Sequence, residues 1–153
     1  MNLSHRKANI NDIKAIVALL IEDELGMARD HLEEELDPKY LEAFELIDKD
    51  PNQYLMVVEN AGEIIATCHL TLMSSLTFTG STRMQIEAVR VSEKMRGQKI
   101  GEWMINQAFG YAKANNVKII QLTTNKKRPR AKHFYEKLGF DATHEGMKLY
   151  LEN

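Results

Sequence analysis

The stretch that most constrains this chain runs from Met84 to Ala112, MQIEAVRVSEKMRGQKIGEWMINQAFGYA. It opens as an alternating run in which Ile86, Val89 and Val91 recur as in a strand with at least one buried face. The run breaks at Ser92–Gly97, which is polar and basic. From Lys99 the period lengthens to three and four residues, so that Ile100, Trp103, Met104, Ala108, Tyr111 and Ala112 form one helical stripe. The segment reads as strand, tight basic loop and helix. Such a loop can hold an anion: the first-turn N–H groups point outward, and the helix dipole adds roughly half a positive charge. Glycines let a phosphate approach the backbone. Here the amides of Gly97, Gln98, Ile100 and Gly101 would serve, with charge-assisted bonds from Arg96 and Lys99.

Two other phosphate loops are absent from the sequence. No GxxxxGK[ST] occurs, and no GxGxxG. Glu87 lies on the strand just before the loop. By simple alternation it shares a face with Val89 and Val91, and a carboxylate on an apolar strand face is costly unless it is paired or used.

The loop, Arg96-Gly97-Gln98-Lys99-Ile100-Gly101, resembles the acetyl-CoA pyrophosphate loop of the GNAT superfamily of N-acetyltransferases, Arg/Gln-x-x-Gly-x-Gly/Ala. Lys99 stands where the pattern has its central glycine. A position needing positive φ would charge lysine about 1 kcal/mol or more. An already helical position would cost little and set an ammonium beside the diphosphate, and this second reading is preferred. Downstream, Ala131-Lys132-His133-Phe134-Tyr135-Glu136-Lys137-Leu138-Gly139-Phe140 is similar to the family's A-x-x-F-Y-x-x-x-G-F signature. The resemblance covers Arg83 to the end well, and the first half by element order only.

That resemblance implies an α/β fold, the GNAT-like acyl-CoA N-acyltransferase fold with a mixed central sheet flanked by helices. It also implies acetyl-CoA as co-substrate and direct transfer to a primary amine. Glu87 takes the place of the family's general base and Tyr135 that of the tyrosine that protonates the CoA sulfur. A phenol, with its pKa of about 10, carries that proton at neutral pH. Val89, Arg90 and Val91 would pair with the pantetheine arm as an added strand, and an N–H near Val89 would polarise the thioester carbonyl. Family members often place an asparagine three residues before the motif alanine. Arg128 stands there in this chain, with Asn125 upstream as a substitute. Some cations of the run Lys126–Lys132, Arg128 and Lys132 among them, would face the CoA 3′-phosphate.

The element order expected is β-α-α-β-β-β-α-β-α-β-β in a single domain, residues 1–153. Leu3–Ala8 is the first strand. Asn9 or Asn11 caps a helix with Ile13, Ile16, Val17 and Leu20 as its stripe. Gly26 interrupts, and an acidic helical region runs to Asp50, with Pro38 at a helix start. Tyr54–Glu59 and Glu63–Leu72 form a hairpin over Asn60-Ala61-Gly62, the second strand continuing towards Phe78. Val117–Thr123 is a further strand, and a helix from Pro129 stops at Gly139. Phe140–Thr143 and Met147–Leu151 make a last strand pair.

With 153 residues, 44% of them hydrophobic, and a net charge of −2, the chain has the composition of an ordinary globular domain. Any pull on a polyanion must come from a local patch. The basic run at 126–132 lacks interleaved aromatics, which argues against a nucleic-acid footprint. The longest apolar run, Ala15–Ile21, is too short to span a bilayer, and MNLSHRKAN lacks a signal-peptide core. One cysteine, Cys68, suits a reducing compartment, so a cytoplasmic location is expected; in mid-strand it reads as a small buried residue.

His31, His69, His133 and His144 show no metal-ligand spacing, and no metal is expected. His69 fits either a structural hydrogen bond or the wall of the acceptor cleft. Asp30, Glu33, Glu34, Glu35 and Asp37 fit a solvated helical face, or an acceptor site for a cationic amine. The reading is thus an N-acetyltransferase of unknown acceptor, a small molecule ahead of a protein. By family analogy it is a homodimer without membrane or nucleic-acid partners. Its rivals are a catalytically silent CoA-binding regulatory module and, behind that, a nucleic-acid-binding protein.

Overall fold

The computed structural model describes residues 1–30 and 32–152. The chain forms two compact units, Met1–Gln121 and Leu122–Asn153. The first carries a five-stranded sheet in the order β1-β2-β3-β4-β5. Its strands are β1 (Leu3–Lys7), β2 (Gln53–Asn60), β3 (Glu63–Met73), β4 (Thr82–Val91) and β5 (Val117–Gln121). The first four pair antiparallel, and β5 lies parallel to β4. The helices of this unit are α1 (Ile13–Leu20), α2 (Glu24–Arg29), α3 (Pro38–Lys49), the distorted turn α4 (Thr77–Gly80) and α5 (Ile100–Ala114). The second unit carries α6 (Pro129–Lys137).

Side chains directly opposite in a sheet point to one face. One face presents Met56, Cys68, Leu70, Met84 and Ile86, all buried, and α5 packs on it. The packing is visible in ring contacts of Tyr54 with Tyr111 at 4.8 Å and of His5 with Trp103 at 6.0 Å. The helix contributes Ile100, Met104, Ile105, Ala108 and Ala112, close to the stripe read from its spacing. The other face packs Val57 against Ala8, Ile13, Ile16, Val17 and Phe44, which brings α1 and α3 onto it.

The entry to α1 is held by charge. Asn9 and Asp12 form a capping box over a 3₁₀ turn, Ile10–Asp12. The buried Asp12 carboxylate accepts from Arg6 Nη1 and Nη2 at 2.7 and 2.9 Å, while Arg6 Nε donates to Glu59 at 2.7 Å. The Arg6 hydrogen bond holds the Asp12 pKa below the usual carboxylate range. Asp12→Asn should therefore cost about 2 kcal/mol at neutral pH, the scale of a hydrogen bond to a charged group. A lowered pKa means stability that is present above the unfolded value and lost as pH falls through the folded one. Urea titrations should accordingly show the gap between parent and variant closing in acid; a gap that is constant with pH would remove the ion pair from the account.

Several expectations change. Gly26 sits inside α2, where Asp23 caps the helix by accepting from Gly26 N–H at 2.6 Å. Residues 32–37 are connector and not helix. Within the acidic run, Asp30 accepts from Tyr40 Oη at 3.1 Å and Asp37 caps α3 through Lys39 N–H at 2.9 Å, so both have local structural tasks. β3 stops at Met73, and Phe78 and Thr79 beyond it lie in the α4 turn with left-handed φ values of 50° and 59°, away from extended backbone. β5 ends at Gln121 and not at Thr123. No strand occurs among the described residues after α6. Apolar alternation at Met147–Leu151 shows which side chains could share a face, whereas a strand also needs a neighbour for its ladder.

Candidate active site

The centre of β4 is irregular, and the irregularity decides where its side chains point. Thr67 pairs with Arg90 and His69 with Glu87, so two residues of β4, Ala88 and Val89, oppose Cys68 alone. This is a β-bulge, with Ala88 at a left-handed φ of 52°. Alternation is reset across it. Glu87 lies on the α1–α3 face opposite His69, whereas Val91 pairs with Ala66 on the α5 face. The expected common face for Glu87 and Val91 is therefore wrong: period-2 reasoning fails wherever one extra residue is inserted. Arg90 falls on the Glu87 side and folds back, its Nη1 donating to the Val89 carbonyl at 2.8 Å.

Pairing of β4 with β5 covers only Thr82–Gln85. On that side Ile86–Val91 has no strand partner among the described residues. The strand then runs into Ser92, whose N–H reaches the Ile65 carbonyl at 2.7 Å, and into a 3₁₀ turn, Glu93–Met95. Glu22 anchors this turn from the end of α1 by accepting from Glu93 N–H at 2.9 Å.

Arg96, Gly97, Gln98 and Lys99 are exposed, and Ile100 is buried beneath them. Gly97 has φ 79° and Lys99 φ 62°, both left-handed. The preference for a helical Lys99 is thus overturned. Lysine carries here the strain that the family's glycine avoids, and it does so as the N-cap of α5 without a side-chain cap bond. The first helical backbone bond runs from Trp103 N–H to the Lys99 carbonyl at 3.0 Å, which leaves the N–H groups of the first turn facing outward. Lys99→Gly should therefore stabilise the fold by about 1 kcal/mol. That is a rise in Tm of roughly 2–4 °C. Lys99→Ala should show no such gain. Equal melting of the two variants would mean that the left-handed backbone is not strained.

On the α1–α3 face around Glu87, His69 Nε2 lies 2.8 Å from Gln53 Oε1. Burial lowers the His69 pKa and the Glu87 charge partly opposes it. Along β4 from Glu87, Gln121 Nε2 donates to Gln85 Oε1 at 2.9 Å, and Arg83 Nη1 reaches Gln121 Oε1 at 3.5 Å. Sequence reading missed Arg83, Gln85 and Gln121. Counting back from Glu87 in steps of two would have flagged the first two; Gln121 needs the β4–β5 register. Cys68 is fully buried, and burial pushes its thiol up to about 12, which fits a packing residue and not a nucleophile.

In the second unit, Asn125 Oδ1 accepts from Lys127 N–H at 2.9 Å, so its side chain shapes the approach to α6. Arg128 is the N-cap residue of α6, half-buried, and Lys132 is exposed. Tyr135 stacks edge-on with Phe134 at 5.1 Å and Phe140 at 5.8 Å. Gly139, at φ 104°, ends the helix while Phe140 N–H returns to the Tyr135 carbonyl at 3.1 Å. His31 lies outside the described residues.

A family model for the acetyltransferase (GNAT) family matches residues 15–140. The chain belongs to the GNAT family. It is an acetyl-CoA-dependent N-acetyltransferase with the α/β GNAT fold. It is 28% identical over 140 residues to an aminoalkylphosphonate N-acetyltransferase of Salmonella typhimurium, covering 91% of this chain and 85% of that one. A solved Bacillus halodurans protein described as a transcriptional regulator is 41% identical with a TM-score of 0.95, over 98% of this chain and all of that one. A predicted acetyltransferase from Clostridium acetobutylicum, solved with acetyl-CoA, matches in fold at 22% identity and a TM-score of 0.74, over 98% and 97% of the two chains. Among the described residues no helix is long and apolar enough to cross a membrane.

Proposed function

We propose that this GNAT enzyme moves the acetyl group directly onto a primary amine of a small molecule, with no acyl-enzyme. The observation that carries the reading is the stretch of β4 beyond Gln85, unpaired by β5 and leading straight into the left-handed turns at Gly97 and Lys99 and the start of the 15-residue α5. Backbone groups of Val89, Arg90 and Val91 take the pantetheine as an added strand. The amides of Gly97, Gln98, Ile100 and Gly101 take the diphosphate, with Arg96 and Lys99 as counter-charges. Arg128 and Lys132 face the CoA 3′-phosphate, and Asn125 contacts the cofactor in place of the family's asparagine. Glu87 removes the amine proton, directly or through water. The main chain near Val89 polarises the thioester carbonyl. Tyr135 protonates the departing thiolate. The Salmonella relative, an aminoalkylphosphonate N-acetyltransferase, supports a small acceptor. We place the enzyme in the cytoplasm as a homodimer, which light scattering on the purified protein checks.

Calorimetry with acetyl-CoA and thiol release over a panel of amines test this together. Binding plus release with small amines is the expected result; no binding would overturn the reading of Arg96–Gly101. Two rival readings are a module that holds CoA without turnover and a protein that contacts nucleic acid through residues 126–132, the second favoured by the Bacillus halodurans relative, a transcriptional regulator. The first requires CoA binding with no thiol release from any amine; the second requires DNA or RNA binding whose log affinity falls linearly with log salt.

A further inference from the structure

We infer that the acceptor amine carries an acidic group, and that Arg83 is the residue that holds it. The inference rests on the proposed direct transfer at Glu87. Arg83, Gln85 and Glu87 alternate along β4 onto the same face, opposite Met73, Thr71 and His69 in register. Arg83 is half-buried, its Nε is shielded from water without a hydrogen-bond partner, and no described carboxylate pairs with it. A guanidinium in that condition is costly unless an anion completes it. The contrast within this protein is Arg6, which meets two carboxylates at 2.7 Å.

The spacing limits the ligand. Arg83 Nη1 leans to Gln121, whose register partner is Gln85, so the cationic head is drawn to the level of Gln85. Glu87 is two residues further along, roughly 7 Å at strand rise. A cation and an anion held about that far apart on one face complement a zwitterion of opposite polarity. Its ammonium lies at Glu87 and its carboxylate, phosphonate or sulfonate at Arg83, a few bonds away. The Gln121–Gln85 amide pair fixes the guanidinium sideways, and a planar fork suits an oxyanion better than an ammonium would. A neutral alkylamine would leave Arg83 desolvated and unmatched, which is how such a site discriminates.

The test is thiol release at saturating acetyl-CoA with matched amines: β-alanine and 2-aminoethylphosphonate against propylamine and ethanolamine. The parent enzyme should favour the acidic pair in kcat/KM by about 10-fold or more. In Arg83→Gln the acidic-to-neutral ratio should fall by about 10- to 100-fold, mainly through the KM of the acidic amine. Arg83→Lys should recover part of it. Gln121→Glu, which leaves the arginine in place but supplies a competing carboxylate, should lower the ratio as well. Equal use of acidic and neutral amines by the parent overturns this inference alone. A variant that lowers both classes in proportion also overturns it, because Arg83 would then be structural. Acetyl-CoA binding without release from any amine overturns the direct-transfer reading, and this one with it.

Discussion

Glu87→Gln should lower kcat by about 10²- to 10⁴-fold, the range a positioned general base contributes. The amide keeps the shape and loses only the ability to accept a proton. On the bulged strand, Glu87 faces the α1–α3 side opposite His69, one residue before the break at Ala88. Its carboxylate is exposed, so it can meet an incoming ammonium without prior desolvation. In rate terms the expected loss is about 3–5 kcal/mol of barrier. Acetyl-CoA affinity, measured by calorimetry, should stay within about 2-fold of the parent, since the loop proposed to hold the diphosphate is built by other residues. A fall in kcat of less than about 5-fold would make Glu87 an ordinary solvated strand carboxylate, because a base in the rate-limiting step contributes far more.

Tyr135→Phe should reduce kcat by about 10²-fold, the lower end of what a positioned acid supplies. The substitution removes one hydroxyl and keeps the ring, whose edge contacts with Phe134 and Phe140 at 5.1 and 5.8 Å hold the end of α6. Stability should therefore change little while turnover falls. Those two readouts separate an acid from a core aromatic: a ring used only for packing would leave kcat at the parental value. Chemical denaturation alongside the rate measurement completes the comparison. Tyr135→Leu, by contrast, should lose stability as well, since the edge-on ring contacts are worth about 0.5–1.5 kcal/mol beyond burial.

Much of this architecture is legible along the chain because the interactions behind it are local. The capping residue Asn9, Pro38 at the start of α3, the hairpin turn at Ala61-Gly62 and the stop at Gly139 each act within a few residues of where they stand. The apolar stripe of α5 is likewise a period, and a period survives without knowledge of the partner. The loop before that helix was legible for the same reason, as a polar break with two glycines and two cations at the helix start.

What the chain alone could not show depends on register. The bulge at Ala88 is the mismatch of β4 against β3, and it moves Val91 off the Glu87 face. Only the mate strand, distant in sequence, reveals that mismatch. Lys99 adopts φ 62° although lysine disfavours it, between the left-handed Gly97 and the buried Ile100 that opens α5. The alternation at Met147–Leu151 had every local mark of a strand and no ladder to join. Arg83, Gln85 and Gln121 meet only because β5 runs beside β4 in one particular register. Local patterning along the chain thus carries most of the elements, the strand–loop–helix unit around Gly97 and the family's motifs. Which face each polar side chain occupies follows from strand pairing, a non-local choice in which one inserted residue turns every later side chain over.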